Sequence, residues 1–266
     1  MRHKDNMLPV LYVLATTLQY QFNAATHLDY DVQVVFDGFI PILGGQDGVV
    51  DLKMVVAVDG LKPDAEGHAR ASSEIKEFKL VFNEAVLPLS VENVTGFFPK
   101  TTVSLTPDGK VVKTDAPDVQ LPVRLPGLHV KRFPDITYVP IVFPTEPVEV
   151  GKSWTFTKAF GDSDVNYTVT PSAIDGSTVQ LKIQLHQKYT VLEDESTNVV
   201  EEKDAVNRVT TVVSGDGEGV FDIKRGAMRS IEIRAVASGV VEDLKSHAKT
   251  DRKLKTTLRT MLKTRS

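Results

Sequence analysis

The feature that most constrains this chain is its two-residue periodicity. His27 to Phe36 reads HLDYDVQVVF, with Leu28, Tyr30, Val32, Val34 and Phe36 on one face and Asp29, Asp31 and Gln33 on the other. Side chains of a β-strand point alternately to opposite faces, so this pattern makes a strand with one oily and one wet side. Val49 to Val58 is a second strand rich in β-branched residues. In Ser73 to Phe82, Ile75 falls on one parity and Phe78, Leu80 and Phe82 on the other. That phase change requires a β-bulge. Thr102 to Thr114 reads as a hairpin turning at Pro107-Asp108-Gly109, where proline presets the first turn position and glycine takes the left-handed one.

The second half continues in the same style. Trp154, Phe156 and Lys158 share one face of a strand over Ser153 to Phe160. Asn166 to Thr170, Val179 to Leu192, Asn207 to Ser214, Gly219 to Ile223 and Ala227 to Val241 follow, with glycine-bearing turns between most of them. Lys253 to Lys263 suits either a strand with a cationic outer face or a helix with Leu254, Leu258 and Leu262 on one stripe, and its threonines favour the strand. Few other stretches of useful length escape glycine, proline or β-branched runs. The pattern predicts an all-β fold, either an antiparallel sandwich or a curved half-barrel, with a weak internal likeness between two β units.

Proline interrupts the pattern once. Half of the fourteen prolines fall in residues 117–147. Proline cannot donate to a sheet ladder, so this stretch is not a central strand. It is also too apolar for a free linker, and it reads as an extended crossover lying on a sheet. The expected organisation is an N-terminal β unit over 16–116, the proline-rich crossover over 117–147, and a C-terminal β unit over 148–266 that ends in a basic segment.

Residues 1–15 read as an export leader, with Arg2, His3 and Lys4 ahead of the apolar run Met7 to Leu14 and small residues near Ala15. The alternative is an ordinary buried N-terminal element. The apolar run is too short to cross a bilayer, which takes about 20 residues. The leader predicts an exported protein, periplasmic, at the cell envelope or secreted. The chain has no cysteine, which excludes disulfides, thiol nucleophiles and thiolate metal sites. A net charge of −4 argues against a nucleic-acid binder.

Three segments, YQFNAATHLDYDV, VGKSWTF and GDGEGVFDIKRGAMRS, occur in that order. Together they resemble a group of uncharacterised exported β-rich bacterial proteins that combine a leader, an aromatic opening strand, a VG-x-x-W strand start and a G-x-G-x-F-D-x-x-x-G hairpin. The resemblance implies a β-rich envelope or secreted protein and carries over no catalytic residue. The residues themselves suit folding roles. Trp154 buries a large ring, Phe221 points inward, Asp222 caps turn amides and Gly226 supplies a positive φ.

No catalytic constellation is legible. His3, His27, His68, His129, His186 and His247 are widely spaced, and no HExxH or G-x-S-x-G motif exists. Ser73-Glu-Ile-Lys76 matches S-x-x-K in letters, but it lies in a strand. Gly44-Gly45-Gln-Asp-Gly48 lacks the lysine of a phosphate loop. The acidic loop of Glu193-Asp194-Glu195 and Glu201-Glu202 with Asp204 lacks the ligand spacing and bend glycine of a calcium loop and suits a solvated hairpin tip. The reading therefore assigns no catalytic, cofactor-binding or metal residues and no cofactor. From Lys245 onward eight cations stand against Asp251 alone. A stripe of that kind suits an anionic surface or polymer, a cationic edge strand that discourages aggregation, or simple complementarity to an acidic body. The expected function is a non-catalytic binding or structural role at the cell envelope. The alternatives are a carrier of an apolar ligand in a β trough, with the crossover as its lid, and a hydrolase whose site is assembled from distant residues.

Overall fold

The computed structural model describes residues 15–40, 45–96, 98–117, 133–160 and 163–263. The leader up to residue 14, the first part of the crossover, His3, His129 and Gly44 lie outside them.

The chain forms two meanders that join into one sheet. The first comprises β2 (His27–Ile40), β3 (Gln46–Leu61), β4 (Ala69–Phe82), β5 (Ala85–Leu87), β6 (Thr101–Leu105) and β7 (Val111–Asp115). A short helix α1 (Val91–Thr95) lies between β5 and β6, and α2 (Phe133–Ile136) lies in the crossover. The second meander comprises β9 (Trp154–Phe160), β10 (Ser163–Ile174), β11 (Thr178–Glu193), β12 (Asn207–Asp222), β13 (Ala227–Asp243) and β14 (Lys249–Leu262). A separate two-residue ladder pairs β1 (Ala15–Thr16) with β8 (Val148–Glu149). The main sheet has twelve antiparallel strands in the order β7-β6-β4-β3-β2-β14-β13-β12-β11-β10-β9, with β5 on the side of β4. The fold is all-β, and the sheet is curved without closing into a barrel.

Strand by strand, the alternation lands where the sequence places it. Tyr30, Val32, Val34 and Phe36 are buried, and they pair through β3 with Val56, Met54, Leu52 and Val50 on the same inner face. The phase change in β4 is a bulge. Val55 faces Glu77 and Val56 faces Ile75, so Lys76 is the extra residue and both Ile75 and Phe78 stay on the inner face. The hairpin at Pro107–Gly109 is present, with Gly109 at φ 93°.

Three expectations are corrected. Asn207 to Ser214 and Gly219 to Ile223 are one strand, β12, because Gly215 and Gly217 do not break it. They let β13 come close, since a Cβ on Gly217 would lie 2.3 Å from the Glu232 carbonyl oxygen. The cationic segment is strand, as its threonines suggest, but β14 is central between β2 and β13 rather than an edge. Glu193 is not at a solvated tip. It is buried, and it meets Arg252 at 2.5 Å.

That last pair shows how far the sheet rolls. Glu193 ends β11 and Arg252 lies on β14, three strands away in the sheet order. The Arg252 guanidinium also stands 4.3 Å over the Phe39 ring on β2.

The concave face is filled by the chain's own extended segments. Residues 17–23 form a strap that buries Leu18, Tyr20 and Phe22 and leaves the residues between them exposed. The crossover contributes Tyr138, Val139, Ile141 and Phe143, all buried. The Tyr20 ring stacks on Phe143 at 5.0 Å and meets Phe221 edge-on at 5.5 Å. The Tyr20 hydroxyl donates to the Ile141 carbonyl at 3.1 Å. The crossover joins β7 at one end of the sheet to β9 at the other. Its Phe143 amide donates to Asp108 in the β6–β7 turn, and its Val142 carbonyl accepts from the Trp154 indole of β9. The crossover and strap thus do what closing strands do in a barrel.

Glycines set the strap's path. A Cβ at Gly60 would lie 2.0 Å from the Asn23 carbonyl oxygen, one at Gly109 2.4 Å from the Tyr20 ring, and one at Gly226 2.5 Å from the Gln21 side chain. Gly60 has no positive φ, so its requirement is close approach alone. Gly60→Ala is expected to cost about 1–3 kcal/mol through overpacking against the strap. Gly96→Ala, whose Cβ would meet only the Asn93 carbonyl at 3.9 Å, is the control and should change stability little. Urea denaturation of the two variants beside the wild type checks this.

Candidate functional site

Two histidines sit beside pairs of carboxylates. His27 on β2 has its Nδ1 2.5 Å from Asp59 and its Nε2 3.5 Å from Asp29. His68 before β4 has its Nδ1 3.2 Å from Asp64 and 3.3 Å from Glu66. Among the described residues, Asp64, Glu66 and His68 are the one such group whose ligand atoms all lie within 4.8 Å of one another. The other Asp64 oxygen is occupied by the Glu66 and His68 backbone amides. Both clusters lie on strand ends or loops at the surface. Of the remaining described histidines, His186 is exposed on β11 and His247 contacts Glu242 at 3.4 Å in the β13–β14 turn. Ser73 is buried on the inner face near Tyr138, whereas Lys76 is exposed and pairs with Glu74, so the S-x-x-K letters assemble nothing.

A cleft of about 700 Å3 crosses six strands, from Glu77 and Lys79 on β4 to Glu218 and Val220 on β12. Lys53, Asp31, Gln33, Arg259, Met261 and Glu232 line it between those walls. Parity places it on the outer face. The solvent-facing members of each strand border it, while their neighbours Val32, Met54, Ile231 and Thr260 are buried in the core. On the inner side, the gap beside Ser73, Phe98 and Phe133 measures about 10 Å3, the size of a single water.

Arg252, Lys255, Arg259 and Lys263 of the basic C-terminal segment are paired where they lie. Lys255 pairs with Asp37 at 3.1 Å on one neighbouring strand, and Arg259 pairs with Glu232 at 2.9 Å on the other. Lys263 reaches Asp31 at 3.5 Å. Arg234 adds a second cation to Glu232. The Arg259 guanidinium, more than the neighbouring charges, holds the Glu232 carboxyl below its usual range.

Lys158 is the buried cation that the alternation hides. It shares the inward face of β9 with Trp154 and Phe156, and its Nζ lies 2.7 Å from both Asp135 in α2 and the Val139 carbonyl. This pair fastens the crossover to the β9 edge. Removing one partner of a buried ion pair is strongly destabilising, so Asp135→Ala is expected to cost about 3–5 kcal/mol. Lys158→Met with Asp135→Leu should recover much of that loss. Thermal and urea unfolding of the single and double variants measures both.

The loop aspartates have a common role. Asp175, Asp194, Asp222 and Asp243 each accept backbone amides in the turns between successive strands of the second meander. Amides of Thr178 and Ser177 hold the Asp175 carboxyl well below its usual value. Asn198 lowers Asp194, and Ser246 lowers Asp243.

Compared with known proteins, the chain matches no protein-family model and no curated protein.

Depressed carboxyl pKa values stabilise the folded state only where the groups are ionised. Stability is therefore expected to be flat above about pH 5 and to fall as pH drops through the unfolded carboxylate range near 4 and below. Asp175→Asn and Asp243→Asn should shrink that acid dependence, as read by unfolding midpoints between pH 2 and 7.

Proposed function

We propose that this is a non-catalytic, exported β-rich protein with a binding or structural role at the cell envelope. The observation that carries the reading is the filled concave face. A curved antiparallel sheet offers a natural trough for an apolar ligand. Here Leu18, Tyr20, Phe22, Tyr138, Ile141 and Phe143 occupy that trough. The crossover is the content of the trough rather than a lid over it, which weighs against a carrier that holds its ligand between the sheet's inner walls.

The polar groups point the same way. The described residues that most resemble reaction chemistry are spent on turn caps, on cross-strand ion pairs or on the Lys158–Asp135 fastening. His27 and His68, each beside two carboxylates, lie on open surface rather than in a water-excluding cleft. The outer cleft is of ligand size, and it sets apolar surface from Val55, Val220 and Met261 among the charged ends of Lys53, Glu77, Glu232 and Arg259.

Two measurements test the reading. Mass spectrometry of organic extracts from the purified protein should find no stoichiometric lipid, and a broad hydrolase panel should show no turnover. A co-purifying lipid at one equivalent revives the carrier. Turnover abolished by His27→Ala or His68→Ala replaces the proposal with an enzyme. Fractionation of cells expressing the full chain should place it outside the cytoplasm, with the mature N-terminus at or near Thr16.

A further inference from the structure

The strap is seated like a ligand. It is extended, and every second residue is a buried knob: Leu18, Tyr20 and Phe22. Its backbone meets the body of the protein through donors, with the Tyr20 amide on the Pro107 carbonyl at 2.8 Å and the Gln21 amide on the Gly226 carbonyl at 2.9 Å. Those two acceptors sit in different hairpin turns, β6–β7 and β12–β13. Gly60, Gly109 and Gly226 line the path where a side chain would block it. Aromatic walls complete the groove: Phe143 and Phe221 around Tyr20, and Tyr138 edge-on to Phe22 at 5.8 Å. This is the anatomy of a peptide-recognition groove, in which backbone hydrogen bonds supply affinity and alternate pockets supply specificity.

The acceptors also decide the class of occupant. An acyl chain in this groove would leave the Pro107 and Gly226 carbonyls without their strap donors, and at the buried Gly226 that is costly. An extended peptide satisfies both. The peptide known to fit is residues 15–23, ATTLQYQFN, and the strap connects to β2 through the short turn at Asn23–Thr26. No disulfide holds it, since the chain has no cysteine.

We propose that the groove holding the strap is a peptide-binding site occupied in cis by the chain's own N-terminal segment, and that a second copy of this chain can supply the same segment in trans. The inference goes beyond the envelope-binding reading and does not depend on it. In cis, a short tether gives the strap an effective concentration on the order of millimolar, so trans occupancy is expected to be weak until the cis contacts are loosened. Weakening the cis strap while leaving the groove intact should therefore favour an incoming peptide.

The test uses the full chain and a fluorescein-labelled ATTLQYQFN peptide. Anisotropy should show binding to a Tyr20→Ala or Leu18→Ala full-length variant at least tenfold tighter than to the wild type. The same peptide with Tyr20 replaced by alanine should bind at least tenfold more weakly. Sedimentation of the wild type after prolonged warming at high concentration should reveal a dimer, and excess peptide should suppress it. Two strap variants are used so that one that fails to fold does not end the test, with far-ultraviolet circular dichroism reporting folding. Equal affinity for the peptide and its Tyr20-to-alanine version, or no binding to any folded variant, overturns the proposal. So does binding of a fluorescent fatty acid in preference to the peptide, which would make the groove an acyl site. Because the readout is peptide affinity, its failure leaves the envelope role standing, and a misplaced cellular location leaves the groove standing.

Discussion

The structure depends on one act of closure. A twelve-stranded antiparallel sheet that curves without sealing has two open edges and a bare apolar concave face, neither of which is stable in water. This chain meets both needs with segments that are not part of the main sheet. The aromatic contact of Tyr20 with Phe143 and Phe221 joins the strap, the crossover and a strand of the second meander at one point. Lys158 and Trp154 then tie the crossover to the β9 edge, and the Phe143 amide ties it to the β6–β7 turn near the other edge. Burial of three aromatic rings, with the Tyr20 hydroxyl donating to the Ile141 carbonyl, is among the strongest local stabilisations a core offers. At the opposite end of the strands the Glu193–Arg252–Phe39 contact rolls the sheet onto itself. The two ends are thus closed by different physics, one aromatic and one ionic.

The seam between the meanders explains the charge pattern. β2 and β14 pair residues more than two hundred positions apart in sequence, as in Asp37 with Lys255. On the outer face β2 presents aspartates, β14 presents lysines and arginines, and β13 presents glutamates. Cross-strand opposite charges each contribute little, on the order of 0.2–1 kcal/mol, yet like charges directly opposed are unfavourable. Such a ladder therefore favours the correct neighbour and register over slipped ones. The C-terminal run of cations, which in isolation suits an anionic partner, finds much of its counter-charge within the sheet.

Much of this was legible in the letters because it is local. Alternation gave the inner face of β2 correctly, and the parity switch between Ile75 and Phe78 marked a bulge that falls at Lys76. Asp222 of DIKRG reads as a turn cap and is one, and Asp175 and Asp194 cap their own turns in the same way. What escaped is non-local. Nothing near Leu18, Tyr20 and Phe22 says that an alternating segment lies in a trough instead of joining a sheet. Gly60, Gly109 and Gly226 read as turn or strand glycines, and only their convergence on the strap shows their second purpose. Lys158 sat on the correct face by parity, but its burial needs Asp135, which is far from it in sequence and lies amid prolines. The position of β14 at the centre rather than at an edge is a matter of topology, which periodicity does not encode.

The absence of a legible reaction centre has the same root. Catalysis requires polar side chains held in a cleft and left unspent by folding. In this chain the buried cation is spent on the crossover, the buried carboxylate Glu193 on Arg252, and the best-anchored aspartates on backbone amides. The concave face, where curved sheets commonly keep ligands, is spent on the strap. What remains is shape on the outside: a cleft across six strands that sets apolar surface among charged side chains. The interior holds that outer face still, because the core contacts that fix the register of the six strands also fix the spacing of the side chains on their outer side.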